Sequence, residues 1–209
     1  MDEPRESESH RLIGGELCLD FANTLNGHAR QDPHEYFFDY RDMLLWGRHA
    51  AVLSAEEFGE LLGEATWHPG QAQAVFRQGL KLRETIYRIF TALAGGSKVD
   101  ESDLEHLGAT WQAGQAHLHL VYSSGGFSLS WDDEPCLERL ARLVAASAIH
   151  LLTSPQMHPV RNCSGERCDW LFIDTSRNHL RRWCSMDECG NRAKMQRRSI
   201  KQKLTATAG

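Results

Sequence analysis

The sequence predicts an α+β protein: a mainly helical N-terminal domain that carries one β-hairpin, followed by a small C-terminal module organised by four cysteines. Three observations predict this. Apolar residues recur at helical spacing through most of the first 155 positions, two alternating runs flank a Gly-Gly pair near 125, and two Cys-x4-Cys pairs fall within 27 residues near the end.

Taken in order, "ELCLDFANTLNG" sets Leu17, Phe21, Ala22 and Leu25 on one face, with Gly27 as the expected stop. "DYRDMLLWGRHAAVL" reads as the next helix, and Ser54 with Glu57 has capping-box spacing at the head of "AEEFGELLGEA". A long periodic stretch from about 71 to 94 repeats Phe76, Leu80, Arg83, Tyr87 and Phe90 and closes at "GGS"; "DESDLEHLGATWQA" adds a shorter helix. "HLHLVYSSGGFSLSW" breaks the helical period and predicts a hairpin over 117–122 and 127–131. A helical stripe then returns from Pro135 to about Leu152, and "TSPQMHP" serves as a connector. The expected domains are 1–155 and 156–209.

Composition narrows the class. With 209 residues and 41% hydrophobic content the chain can bury a core, and no apolar run approaches the roughly 18 residues that span a bilayer. The opening "MDEPRESESH" lacks a secretory pattern, so a cytoplasmic protein without membrane partners is expected. No nucleophile elbow, phosphate-binding glycine loop or HExxH is present, so a non-enzyme is expected. His117 and His119 alternate along one strand without a third ligand nearby in sequence, as on an exposed strand face. The net charge of −5 is unevenly spread: from Arg161 to Lys203, 11 Lys+Arg stand against 5 Asp+Glu, while the remainder carries 12 against 23. An acidic body thus carries a basic end, which points to a polyanionic partner.

The cysteine spacing is Cys163-x4-Cys168, fifteen residues, then Cys184-x4-Cys189. Two tight turns of this kind can bring four thiolates to one tetrahedral ion, the usual build of a structural zinc site with no open position for catalysis. Disulfides would need an oxidising compartment, and an iron–sulfur cluster commonly uses other spacings; both remain alternatives at this point. His179 lies between the pairs as a surface histidine or a substitute ligand, and Cys18 and Cys136 read as core.

The stretch "VRNCSGERCDWLFIDTSRNHLRRWCSMDECGNRAK", with "CGNR" at 189–192, and the N-terminal "LCLDFANTL" resemble bacterial proteins with an ABATE domain and a C-terminal CGNR zinc finger. The resemblance implies one zinc held by Cys163, Cys168, Cys184 and Cys189, and a role as a stress-related transcription regulator.

Downstream of the cysteines, Lys194, Arg197, Arg198 and Lys201 fall at i, i+3, i+4 and i+7, a cationic stripe on a helix. Arg177, Arg181, Arg182 and Arg192 add to it, and about +4 remains after a zinc tetrathiolate is counted. These eight residues are the expected DNA contacts. The alternative is a zinc-stabilised interaction or ligand-binding module without nucleic-acid contact, in which the finger packs on its own acidic body or on a second subunit. Trp170, Leu171, Phe172 and Ile173 are expected to form a miniature core, and Asp174 to cap a helix over "SRNHLRRW". In the larger domain Asp20, Asn23 and Arg41 are candidate ligands of a small-molecule effector, with Asp42 and Trp46 nearby. A homodimer would suit a regulator, although no heptad establishes one.

Overall fold

A computed structural model describes residues 11–28, 30–123, 125–132, 135–155 and 159–207, with side chains in the last helix described to 200 and at 202. The polar opening and part of the "TSPQMHP" connector lie outside the described residues. The described elements are mainly helical, with three separate antiparallel strand pairs.

The N-terminal body is built around α4 (Pro69–Ala94), which starts with proline in its first turn and ends at Gly95. Its buried stripe centres on Leu82, Ile86 and Ile89, flanked by Phe76 and Phe90; Leu80 and Tyr87, expected on this stripe, are half-buried. α2 (Tyr40–His49) crosses α4 closely, because a side chain at Gly79 would run into Met43 Sδ at 2.7 Å. α3 (Ala55–Trp67) opens with the expected Ser54–Glu57 capping box. α5 (Glu101–Gln115) packs between α4 and α6 (Arg139–Thr153). β3 (Leu118–Ser123) and β4 (Gly126–Trp131) form the expected hairpin.

Two local departures have physical reasons. α1 (Leu17–Ala22) ends well before Gly27, because Asn23 and Thr24 close its last turn onto Leu19 and Phe21 carbonyls. The chain then extends, and β1 (Leu25–Asn26) pairs with β2 (His34–Glu35). That short pair is pinned to α4 by Arg83, buried to 3% exposure, whose two terminal nitrogens each donate to a Glu35 oxygen at 2.6 Å. α6 starts at Arg139 rather than Pro135, and the preceding turn is held by Tyr40 Oη donating to the Leu137 carbonyl.

The C-terminal module begins with β5 (Val160–Asn162) paired to β6 (Leu171–Ile173). Successive side chains of a strand point to opposite faces. Leu171 joins the body core and Ile173 packs against it, whereas Trp170 and Phe172 join a second core with Cys163, Cys184 and Cys189. The apolar run is therefore divided between two cores instead of forming one miniature core.

α1 lies between the body and β6. Asn23, 2% exposed, donates from Nδ2 to the Leu171 carbonyl at 2.9 Å and accepts from the Leu171 N–H at 2.8 Å, so its amide acts as a further strand edge. Ile173 N–H donates to the Gly14 carbonyl, Gly27 N–H to Asp169, and Asn162 to Thr91 Oγ1. Truncating Asn23 leaves both Leu171 backbone groups buried and unpaired. Asn23→Ala is expected to lower stability by about 2 kcal/mol, read as a lower midpoint in urea with zinc retained.

Candidate metal centre

The four cysteines come from two turns. Cys163 follows β5 and its N–H donates to the Trp170 carbonyl, while Cys168 N–H closes a turn on the Gly165 carbonyl. A Cβ at Gly165 would sit 3.2 Å from Cys189 Sγ and from Cys168 Cβ, tighter than an ordinary contact, which marks how closely the two turns approach there. Cys184 follows an irregular segment, and Cys189 lies in a single π-helical turn, Met186–Gly190, that runs into α7 (Asn191–Thr207).

All four sulfurs lie within 4.8 Å of one another, with Cys168–Cys184 at 3.6 Å and Cys184–Cys189 at 3.7 Å. A tetrahedral Zn²⁺ with about 2.3 Å bonds to sulfur has S···S edges of about 3.8 Å, so these two edges match those of a site for one ion. Cys184 N–H points at Cys163 Sγ, 3.4 Å away, as backbone donors do towards thiolates. The sulfurs share hydrogen bonds that hold the Cys163 thiol well below its ordinary value and push Cys168 and Cys184 up, so one proton is contested among neighbours. A divalent cation resolves that competition by making every sulfur a thiolate. His179 stays out of the cage, its ring directed at the Asp174 carbonyl.

Residues 174–183 carry no helix, contrary to the expected cap-and-helix reading. Asp174, fully buried, accepts from Ser176 N–H and Oγ with one oxygen and from Arg161 Nε and Arg181 N–H with the other. Burial raises its pKa, but these hydrogen bonds outweigh it and hold the carboxyl down at about 2. His179 has φ +50°, a left-handed conformation that interrupts a helix.

Two family models match the chain. A model described as "Putative stress-induced transcription regulator" (ABATE) matches residues 15–155, and one described as "CGNR zinc finger" matches 160–201. The chain belongs to the ABATE family. It carries a CGNR zinc finger with one structural zinc site at Cys163, Cys168, Cys184 and Cys189. No curated protein matches it.

The eight cationic residues of the finger fall into groups. Arg192, Lys194, Arg197 and Arg198 are exposed on α7 and, among the described residues, none of them pairs with a carboxylate. Arg177 and Arg182 are exposed on the loop between the cysteine pairs, and the Lys201 side chain lies outside the described residues. Arg181 turns inward: its guanidinium donates to the Trp183 and Cys184 carbonyls and lies 4.6 Å over the Phe172 ring. Arg182 and Arg197 both stack on Trp183, at 5.5 and 5.8 Å, which ties the loop to the helix.

In the ABATE body the structure does not bring Asp20, Asn23 and Arg41 together around a cavity. Arg41 is exposed on α2, and Asn23 grips the finger. Asp20 lines a cavity of about 320 Å³ with Leu12, Glu16, Leu17, Ala50 and Val52, and accepts from Gly14 N–H at 2.7 Å. His117 and His119 do meet a third group, Asp132, whose two oxygens each take one imidazole. Cys18 is core, and burial pushes its thiol up to about 12; Cys136, read as core, is half-buried and donates to Glu138.

Cys184→Ser is expected to take elemental zinc from one per chain to none and to open residues 160–207 to proteolysis, with α1–α6 still helical but unfolding at a lower urea midpoint because Leu171 and Val160 no longer complete their core. A second expectation concerns Asp20, whose carboxyl burial pushes up to about 6. The folded value lies above the unfolded one near 4, so the penalty is absent at lower pH and complete above about 6. Asp20→Asn, which can still accept from Gly14, is expected to exceed the wild type in stability by an amount that roughly doubles from pH 5 to pH 7, approaching about 3 kcal/mol in urea titrations.

Proposed function

We propose that this protein is a cytoplasmic, DNA-binding transcription regulator without catalytic activity, in which the zinc finger presents α7 to duplex DNA. The observation that carries this reading is the exposed set Arg192, Lys194, Arg197 and Arg198, unpaired with carboxylates among the described residues, on a helix anchored to the metal cage. The finger is already docked on the acidic body through β5 and β6, so α7 is not consumed by that contact. Arginine forks suit phosphate oxygens and guanine edges, and Arg182 and Arg197, both held on Trp183, extend the surface to the loop. Arg181 supports this surface from inside. The family description supports regulation in response to stress, with the ABATE body as the receiver of the signal. No helix among the described residues is long and apolar enough to cross a membrane.

The cavity beside Asp20 is where a small effector would act with the shortest reach to the finger, since Asn23 lies three residues further along the same segment. The alternative, an interaction module without nucleic-acid contact, is separated by salt dependence. Fluorescence anisotropy with a DNA duplex is expected to give log K falling linearly with log salt, by about 0.9 for each phosphate neutralised. Arg197→Glu with Arg198→Glu is expected to flatten that slope by about 2 and to leave zinc content and the docking of the finger unchanged. Affinity indifferent to salt would exclude a phosphate interface.

A further inference from the structure

The β3–β4 hairpin has one face made wholly of large apolar side chains. Register pairs Leu118 with Trp131, Leu120 with Leu129 and Tyr122 with Phe127, and side-chain alternation sets all six on one face. The opposite face carries His119, Val121, Ser128 and Ser130. The rung nearest the body is covered: Trp131 packs beside Gly114 and under the Arg139 guanidinium. The outer two rungs are open, with Leu120 69%, Leu129 68%, Tyr122 67% and Phe127 74% exposed.

Hairpins of two strands are marginal in water unless one face packs against something. We propose that this face pairs with the same face of a second copy of the chain, forming an isologous dimer. The face has a self-complementary order: one aliphatic rung and one aromatic rung lie about 6.8 Å apart along the strands. A two-fold axis passing between the rungs and lying between the two stacked faces sets the Leu120–Leu129 rung of each copy on the Tyr122–Phe127 rung of the other, with no charge in the contact. Tyr122 and Phe127 are already organised against each other, with ring centroids 5.0 Å apart.

Area also fits a second copy. Taking about 150–250 Å² for a whole aromatic side chain, the four open side chains present about 500 Å² per copy. Their mutual burial removes about 1,000 Å², the size at which a specific interface begins. Nucleic acid or an anionic membrane is disfavoured as occupant, because the hairpin projects from the part of the chain that carries the acidic excess. The inference is independent of the DNA reading, since dimerisation is read without nucleic acid.

Sedimentation equilibrium of the full zinc-loaded chain is the test. The wild type is expected at twice 23.7 kDa. Tyr122→Ser with Phe127→Ser is expected as a monomer with unchanged circular dichroism and one zinc per chain, whereas Ser128→Lys on the opposite face remains a dimer. If the double variant fails to fold, the milder Leu129→Ala is expected to raise the dimer dissociation constant at least tenfold. A wild-type monomer at about 100 μM, including one that instead sediments with neutral phosphatidylcholine vesicles, would overturn the proposal. So would a folded double variant that stays dimeric, a Leu129→Ala dissociation constant equal to the wild type, or loss of the dimer in Ser128→Lys alone.

Discussion

Strand β6 belongs to two cores at once, and the rest of the structure depends on that sharing. Its alternation sends Leu171 into the body and Phe172 into the metal-bound core. Neither surface can be withdrawn from water without the other being placed. A zinc cage of four thiolates would fold a short segment by itself, because binding energy becomes folding energy. Here the cage also fixes the far side of a strand whose near side completes the body. The polar seam repeats the logic: Asn23 pairs with both backbone groups of Leu171, so no donor or acceptor is stranded where the two cores meet.

The same sharing sets the direction of the basic arm. Cys189 is held in a π-helical turn at the root of α7, so the metal site determines where that helix starts. Arg181, Asp174 and His179 hold the loop between the cysteine pairs by contacts directed inward. Described cations of the segment therefore fall into two roles: Arg161 and Arg181 order the loop beside the cage, while Arg177, Arg182, Arg192, Lys194, Arg197 and Arg198 are exposed on the loop and α7. Gln196 on α7 also reaches Glu166 in the first cysteine turn, joining helix and cage beyond the ligands themselves.

Much of this could be read from residue order. The capping box at Ser54, the long periodicity of α4, the Gly-Gly hairpin and the paired cysteines are local signals, each complete within a few dozen residues. What escaped was decided by distant partners. Asn23 is an ordinary helix-end residue until Leu171, 148 positions away, is brought beside it. Arg83 looked like part of an apolar stripe and is instead the buried partner of Glu35. Asp174 resembles a helix cap because Ser176 follows it, yet Arg161 and Arg181 compete for its second oxygen and favour a turn. Trp170 to Ile173 could be recognised as buried, but a four-residue run cannot say that two different cores receive its two faces.

The distribution of charge explains why docking through strands matters. The segment 161–203 carries +6 by formal count and the remainder −11, so an untethered finger would be drawn to the body by its basic residues. Apolar and backbone contacts have short range and fixed geometry, whereas exposed ion pairs are worth little and are screened by salt. Seating the finger mainly through Leu171, Val160 and the Asn23 amide leaves charge a minor part of the interface, where Asp169 accepts from Gly27 N–H and Arg11 pairs with Glu188, and none of the four exposed cations Arg192, Lys194, Arg197 and Arg198 is used in it. The cationic side chains of α7 then retain the field that an internal ion-paired contact would have neutralised, and that field remains open to a partner outside the chain.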